Sequence, residues 1–187
     1  MGWNCFGIDV DESSARLMAD SGIDVARDFG SLNLEKEEID YIYSYHAFEH
    51  IYDIESTLQD SFNVLSGSGK FLLCVPVSDG FLPRLFKKYW YDLGVPIHKQ
   101  IFSVAGMHAL ADRHGFKISS YKYNSYSESF VGSIVACFIG LLDINKAAQS
   151  YSHGRLFKLS CLLVSPIVLV LDFFSLGDRA EFLLTKK

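Results

Sequence analysis

Strands and helices alternate along this chain, and the alternation predicts an α/β fold built on a doubly wound, mostly parallel sheet. Three observations carry that expectation. The run Ile39-Asp-Tyr-Ile-Tyr-Ser-Tyr45 reads as a buried strand that stops abruptly at the polar, titratable His46, Glu49 and His50. From Ile54 to Leu65 the period changes to that of an amphipathic helix, with Leu58, Phe62 and Leu65 on one side. Phe71-Leu-Leu-Cys-Val-Pro76 then reads as a fully buried strand closed by proline. Sheets of this kind bind ligands at the carboxyl ends of their strands, so the end of the Ile39 strand is the first place to look for a site.

The remaining elements follow the same order. Asn4 to Asp9 is a short apolar run ending in an acid, the pattern of a parallel strand and its terminal loop. Ser13 to Ser21 carries Ala15, Leu17, Met18 and Ala19 and ends at Gly22, as a helix does. Ile23 to Ala26 is a weak second strand, and Gly67-Ser-Gly-Lys70 reads as a turn. Val104 to His114 is a helix ended by Gly115, and Phe116 to Tyr123 a strand. Ala180 to Lys186 closes the chain as a strand at or near the sheet edge.

Two apolar stretches interrupt this order, Phe130 to Leu142 and Leu159 to Leu171. Each is about a dozen residues, short of the roughly 20 that a bilayer-spanning helix needs. Pro166, Lys158 and Asp172 weaken a spanning reading further. They are expected to be buried or interfacial helices that cover the site, with peripheral membrane contact and self-association left open. One domain over residues 1–187 is expected: a core to 128, the apolar helical segment over 129–176, and the closing strand over 177–187.

With 187 residues, 49% hydrophobic and 21% charged, the chain is long enough to bury a core. A net charge of -5 argues against a nucleic-acid partner, which wants a basic face. Cys5, Cys74, Cys137 and Cys161 are far apart and form no C-x-x-C pair, so buried reduced thiols and a cytoplasmic location are expected. Met1-Gly-Trp-Asn4 leads into a strand without the pattern of a signal peptide.

At the level of ordered motifs the chain resembles a known family. Gly2-Trp3, Gly7-Ile-Asp9, Asp40-Tyr-Ile, Phe48-Glu49-His50-Ile with Asp53, Leu65-Ser-Gly-Ser-Gly69-Lys-Phe and Val75-Pro76 look like a class I S-adenosylmethionine-dependent methyltransferase. Trp90, Pro96-Ile-His98, Phe102-Ser103 and Gly115-Phe116 are similar to the subgroup acting on small molecules, quinones and surface sugars. The resemblance covers residues 2–120, plus Gly177-Asp178 and the closing strand. It implies a Rossmann-like sheet, S-adenosylmethionine as cofactor, and methyl transfer to a hydroxyl or other nucleophile of a small molecule or saccharide.

The site residues follow from both sources. A carboxylate at a strand tip can accept two hydrogen bonds from a ribose diol. The resemblance gives that role to Asp9, with Val10 beside it; the alternative is that Asp9 caps the following helix. Asp28 is the nearest match to the polar side chain near the adenine, and Ser44 and His46 would line the methionine side. His50 and His98 are candidates for the base that takes the acceptor's proton, since histidine titrates near neutral pH. Glu49 would orient such a base or join a divalent ion. No metal site is expected, because His46, Glu49 and His50 are not a pair of i, i+4 histidines on one helix. His108, His114 and His153 read as ordinary helix or loop residues.

The sequence departs from the family in one respect. The first strand and glycine-rich loop, which would precede Gly2-Trp3, are lacking, and Gly67-Ser-Gly-Lys70 precedes a strand and cannot replace them. Two central strand edges are therefore expected to be unpaired, as in a truncated or decayed copy. A non-catalytic, partner-binding domain is the alternative function. A nucleotide-binding oxidoreductase is disfavoured, because no G-x-G-x-x-G opens a helix.

Overall fold

The computed structural model describes residues 2–32, 34–142 and 154–187, with side chains as far as Gly140 in the helix that ends at Leu142. His153 lies outside these residues. Six strands form two sheets. β1 (Phe6–Ile8) and β2 (Asp24–Ala26) pair in parallel around helix α1 (Glu12–Asp20). The second sheet has the order β3 (Ile39–Tyr45), β4 (Leu65–Pro76), β6 (Arg179–Lys186), β5 (Phe116–Tyr123). β3 and β4 are parallel, and β6 is antiparallel to both β4 and β5.

The helices start where side chains satisfy their first amides. Asp11 caps α1 by accepting from the Ser14 amide at 3.0 Å, so the capping expected of Asp9 falls two residues later. Asp53 caps α2 (Ile54–Val64) through the Ser56 amide at 3.0 Å. Ser103 caps α4 (Val104–Arg113) through the Gly106 amide at 3.0 Å. Gly115 ends that helix with φ +78°, and a Cβ there would come within 2.9 Å of the Phe62 ring. Leu58 of α2 and Met107, Leu110 and Ala111 of α4 meet Phe71, Leu73, Val75, Phe116, Phe182 and Leu184 of the sheet in one core.

Several expectations need refinement or correction. β6 lies near the sheet edge and not at it: it sits between β4 and the outermost β5, and Ala180, Phe182 and Leu184 are fully buried. The Gly67–Lys70 turn is absorbed into β4, which pairs with β3 from Leu65 onward through a register shift between Ile39 and Tyr41. β3 is not a buried strand, since none of its seven residues is buried and Tyr43 is 59% exposed. The cause is its place at the side of the sheet, with a hydrogen-bonded neighbour on one side only. β1 is likewise paired on one side only, as are β2 and β5, so four strand edges have no partner among the described residues, and those of β1 and β3 are the pair anticipated from the sequence.

The apolar segment forms helices α5 (Ser127–Leu142) and α6 (Arg155–Phe173), which pack together. The short helix α3 (Phe81–Phe86) also lies against α5. α6 runs 19 residues, longer than the stretch read from hydropathy, and Pro166 sits inside it without ending it. By length and composition it is the one helix, among the described residues, long and apolar enough to cross a membrane. A buried or interfacial helix was expected; of α6 only Cys161 and Val168 are buried, and Leu162, Leu163, Leu169 and Phe173 stand exposed.

Candidate active site

The polar cluster at the end of β3 is built by three successive constraints. The ladder to β4 runs one residue past the strand, with the His46 amide donating to the Cys74 carbonyl at 3.1 Å. His46 then takes φ +51°, a left-handed turn that few side chains other than glycine adopt. The following 3-10 turn, Phe48–His50, is anchored by Phe48, 1% exposed and packed against the rings of Phe71 and Phe102. That anchor carries Glu49 inward, where it is 1% exposed.

A distant loop closes over it. The Glu49 carbonyl accepts from the Lys99 amide at 2.8 Å and the Gln100 amide at 3.1 Å, which brings His98 above the strand end. Its ring packs edge-on to His50 with centroids 4.9 Å apart. Gly94 makes room: it has φ +60°, and a Cβ there would fall 2.4 Å from His98 Nδ1. Thus His46, Glu49, His50 and His98, all proposed from the sequence, come together.

The hydrogen bonds fix how these groups present themselves. His50 Nδ1 meets the Ile97 carbonyl at 3.3 Å, and His98 Nδ1 meets the Asp92 carbonyl at 2.9 Å. A carbonyl only accepts, so both Nδ1 atoms carry the proton and each neutral ring offers its Nε2 lone pair. His98 Nε2 lies 4.0 Å from Glu49 Oε1, and His46 Nδ1 lies 3.2 Å from the same oxygen. Glu49 Oε2 and His46 Nε2 are buried without a hydrogen-bond partner. Burial pushes the Glu49 carboxyl up, but the His46 hydrogen bond, a backbone amide and the neighbouring imidazoles outweigh it, and the group stays below its ordinary range.

Asp9, Val10 and Asp28 belong to the β1–β2 unit and share no hydrogen bond with this cluster. Asp9 is half-buried at the end of β1; its Oδ1 accepts from the Asp11 amide at 2.9 Å, and its other oxygen has no protein partner among the described residues. Asp28 Oδ1 is occupied by the amide and hydroxyl of Ser31 at 2.8 Å each, so this side chain caps a 3-10 turn. Ser44 is half-buried in β3, and Val10 is exposed.

Sequence reasoning missed the wall next to the cluster. Arg179, at the start of β6, pairs with buried Asp92 at 3.0 Å and lies 3.7 Å from the centroid of the Tyr126 ring. Burial raises the Asp92 carboxyl, against the pull of Arg179. Asp178 accepts from the Trp90 indole at 2.8 Å and from the Ser129 hydroxyl, which ties α5 to the sheet. A signal was present: Asp178-Arg179 places two charges directly before an apolar strand, where only paired charges are tolerated.

Comparisons with known proteins agree with this architecture. A family model described as "Methyltransferase domain" matches residues 1–121. No curated protein sequence matches. Among solved structures, the chain is similar to a S-adenosylmethionine-dependent methyltransferase from Thermotoga maritima, described as a possible histamine N-methyltransferase. The identity is 16%, with 97% of this chain and 72% of that one covered and a TM-score of 0.58. A S-adenosylmethionine-dependent methyltransferase from Archaeoglobus fulgidus is 14% identical over 97% of this chain and 75% of its own, with a TM-score of 0.58. Mycolic acid cyclopropane synthase CmaA1, solved with S-adenosylhomocysteine, is 16% identical over 98% and 70%, with a TM-score of 0.57. The family match spans most of the elements that build both halves of the site, and the chain belongs to the class I methyltransferase-domain family, whose cofactor is S-adenosylmethionine.

Proposed function

We propose that this chain transfers a methyl group to a hydroxyl of a small molecule or saccharide, with the end of β3 as the acceptor side. The observation that carries the reading is the convergence of Glu49, His50 and His98, from two distant segments, around a buried carboxylate oxygen with no partner. The residues present fit the cofactor at two points. Asp9 offers a free carboxylate oxygen suited to a ribose hydroxyl, and the end of β3, with Ser44 and unpartnered His46 Nε2, offers polar atoms to the methionine side.

When bound, S-adenosylmethionine supplies an already activated, electrophilic methyl carbon. The chain's task is then to hold the acceptor oxygen in line, exclude water and remove one proton. The Nε2 lone pairs of His50 and His98 are the proton acceptors in this reading, held in that tautomer by the Ile97 and Asp92 carbonyls. Glu49 stabilises the resulting imidazolium. The exposed apolar face of α6, with Arg155 and Lys158 at its amino end, supports contact with an anionic lipid surface near which the acceptor is presented. A cytoplasmic location belongs to the same reading.

The test is calorimetric titration of the chain with S-adenosylhomocysteine, alongside Asp9→Ala. Micromolar binding is expected, weakened at least tenfold in the variant, since a hydrogen bond to a charged group contributes about 1.5–3 kcal/mol. No binding by the folded chain would favour a non-catalytic partner-binding domain, a reading that the one-sided strand edges of β1 and β3 support.

A further inference from the structure

We propose that Glu49, His50 and His98 form a binding site for a first-row divalent cation of the zinc class. One ligand atom from each residue lies within 4.8 Å of the others. The donors are oriented as a metal needs. Both histidines spend their Nδ1 proton on a backbone carbonyl, the usual way of fixing a metal-binding imidazole by its other nitrogen. Glu49 Oε2 is buried with nothing to accept from among the described residues. His46 holds the other oxygen at 3.2 Å and so sets the plane of the carboxylate.

The chemistry selects a cation over an anion. The three groups present a carboxylate and two imidazole lone pairs, all of which repel negative charge. Lys99, next to His98, turns its ammonium to the Pro96 carbonyl at 3.1 Å and the Tyr52 ring, and Arg179 pairs through one guanidinium nitrogen with Asp92 and lies over the Tyr126 ring. Two nitrogens and one oxygen suit zinc better than magnesium or calcium, which take oxygen ligands. Three protein ligands leave a fourth position open, as catalytic zinc sites do. Bonds of about 2.0–2.2 Å bring ligand atoms to roughly 3.4 Å of one another, so the widest gap has to close by roughly 1.4 Å. His50 and His98 are half-buried side chains on a turn and a loop, able to make that movement, while Glu49 is fixed by the core behind it.

The spacing argument made from sequence looked for two histidines one turn apart on a helix, and His46 and His50 do not share one. The second histidine instead comes from the loop that Gly94 and the Glu49 carbonyl fold over the strand. With the cation bound, the two Nε2 lone pairs are its ligands and no longer the bases; an acceptor hydroxyl in the open position would give its proton to solvent water, more readily because a bound cation lowers the pKa of an oxygen ligand. Cation binding itself needs neither cofactor nor acceptor.

The experiment is titration of the chelator-stripped, full-length Cys5→Ser chain with Zn2+ against a chromophoric competitor, and with Co2+ followed by visible absorbance. Cys5 is removed because it is an exposed thiol that binds zinc on its own account. One equivalent is expected at micromolar or tighter affinity, with the absorbance of a four-coordinate Co2+ site. Glu49→Gln and His98→Gln keep volume and should each weaken Zn2+ at least tenfold, while His108→Gln leaves it unchanged. Absence of Zn2+ binding by the folded chain overturns the proposal, and so does binding that Glu49→Gln and His98→Gln leave intact. Titration of the same samples with S-adenosylhomocysteine separates the two claims: cofactor bound without zinc removes only the cation site, and zinc bound without cofactor removes only the methyl-transfer reading.

Discussion

Asp11 shows what one side chain fixes and how little of it spacing reveals. Asp9, Asp11 and Glu12 lie within four residues, and any of them could begin a helix by type alone. Asp11 does so because the first helical residue is Glu12, which puts the Ser14 amide within its reach. The hydroxyls of Ser13 and Ser14 also donate to it. The Ser13 hydroxyl first, then the Ser14 amide, draw its carboxyl down to about 2. The folded value lies below the unfolded value of about 3.9, so the cap's contribution is complete above pH ~4 and is lost as pH falls toward 2. Ser14 amide protection, followed by NMR, should therefore fall between pH 4 and 2. Asp11→Asn, which still caps, should flatten that dependence; a wild-type profile already flat would contradict it. At the same scale, the partnership of His98 with Glu49 was hidden by 48 residues of intervening chain. Gly94 was its only local trace, and a glycine four residues from a histidine says nothing until both are folded.

Elements were more legible than their neighbours. The bounds of β3 and β5 follow directly from their apolar-aromatic runs, and α2 and α4 from their period and, for α4, a closing glycine. For β6 the sequence left open whether the strand lies at the edge or next to it. Ala180, Phe182 and Leu184 share its buried face while Glu181, Leu183 and Thr185 on the other are half-buried, and the strand sits one place in from the edge. For α6, hydropathy reports that a segment is apolar and cannot say whether protein covers it. Its exposed leucines lead to a prediction. The chain should co-sediment with anionic phospholipid vesicles and bind neutral ones more weakly, given Arg155 and Lys158. Leu162→Ser with Leu163→Ser should cut partitioning at least tenfold, since each buried leucine contributes about 1.5–3 kcal/mol. Equal sedimentation of the double variant would mean that this face does not meet lipid.

Across the whole molecule, alternation of strand and helix was enough for the α/β class, and the order of motifs for the family. Strand direction was not legible, because the long excursion through α5 and α6 lets the chain return antiparallel. The expected pair of one-sided edges is present at β1 and β3, and it divides the stability of the protein. β4 and β6 run through the core, whereas β1 and β2 are three residues each and α1 buries no residue. Amides of β1, α1 and β2 should exchange by local opening well before those of β4 and β6, which wait for global unfolding. A ligand that touches both Asp9 and the end of β3 links the two parts. S-adenosylhomocysteine at about 100 times its dissociation constant adds about 2.7 kcal/mol to any opening that releases it. Because that opening is cheapest in the β1–β2 unit, the largest slowing of exchange should appear there and not in β4. Hydrogen exchange with and without the ligand reads this directly. Slowing confined to the loop around His98 would place the ligand on one part alone and remove Asp9 from the site.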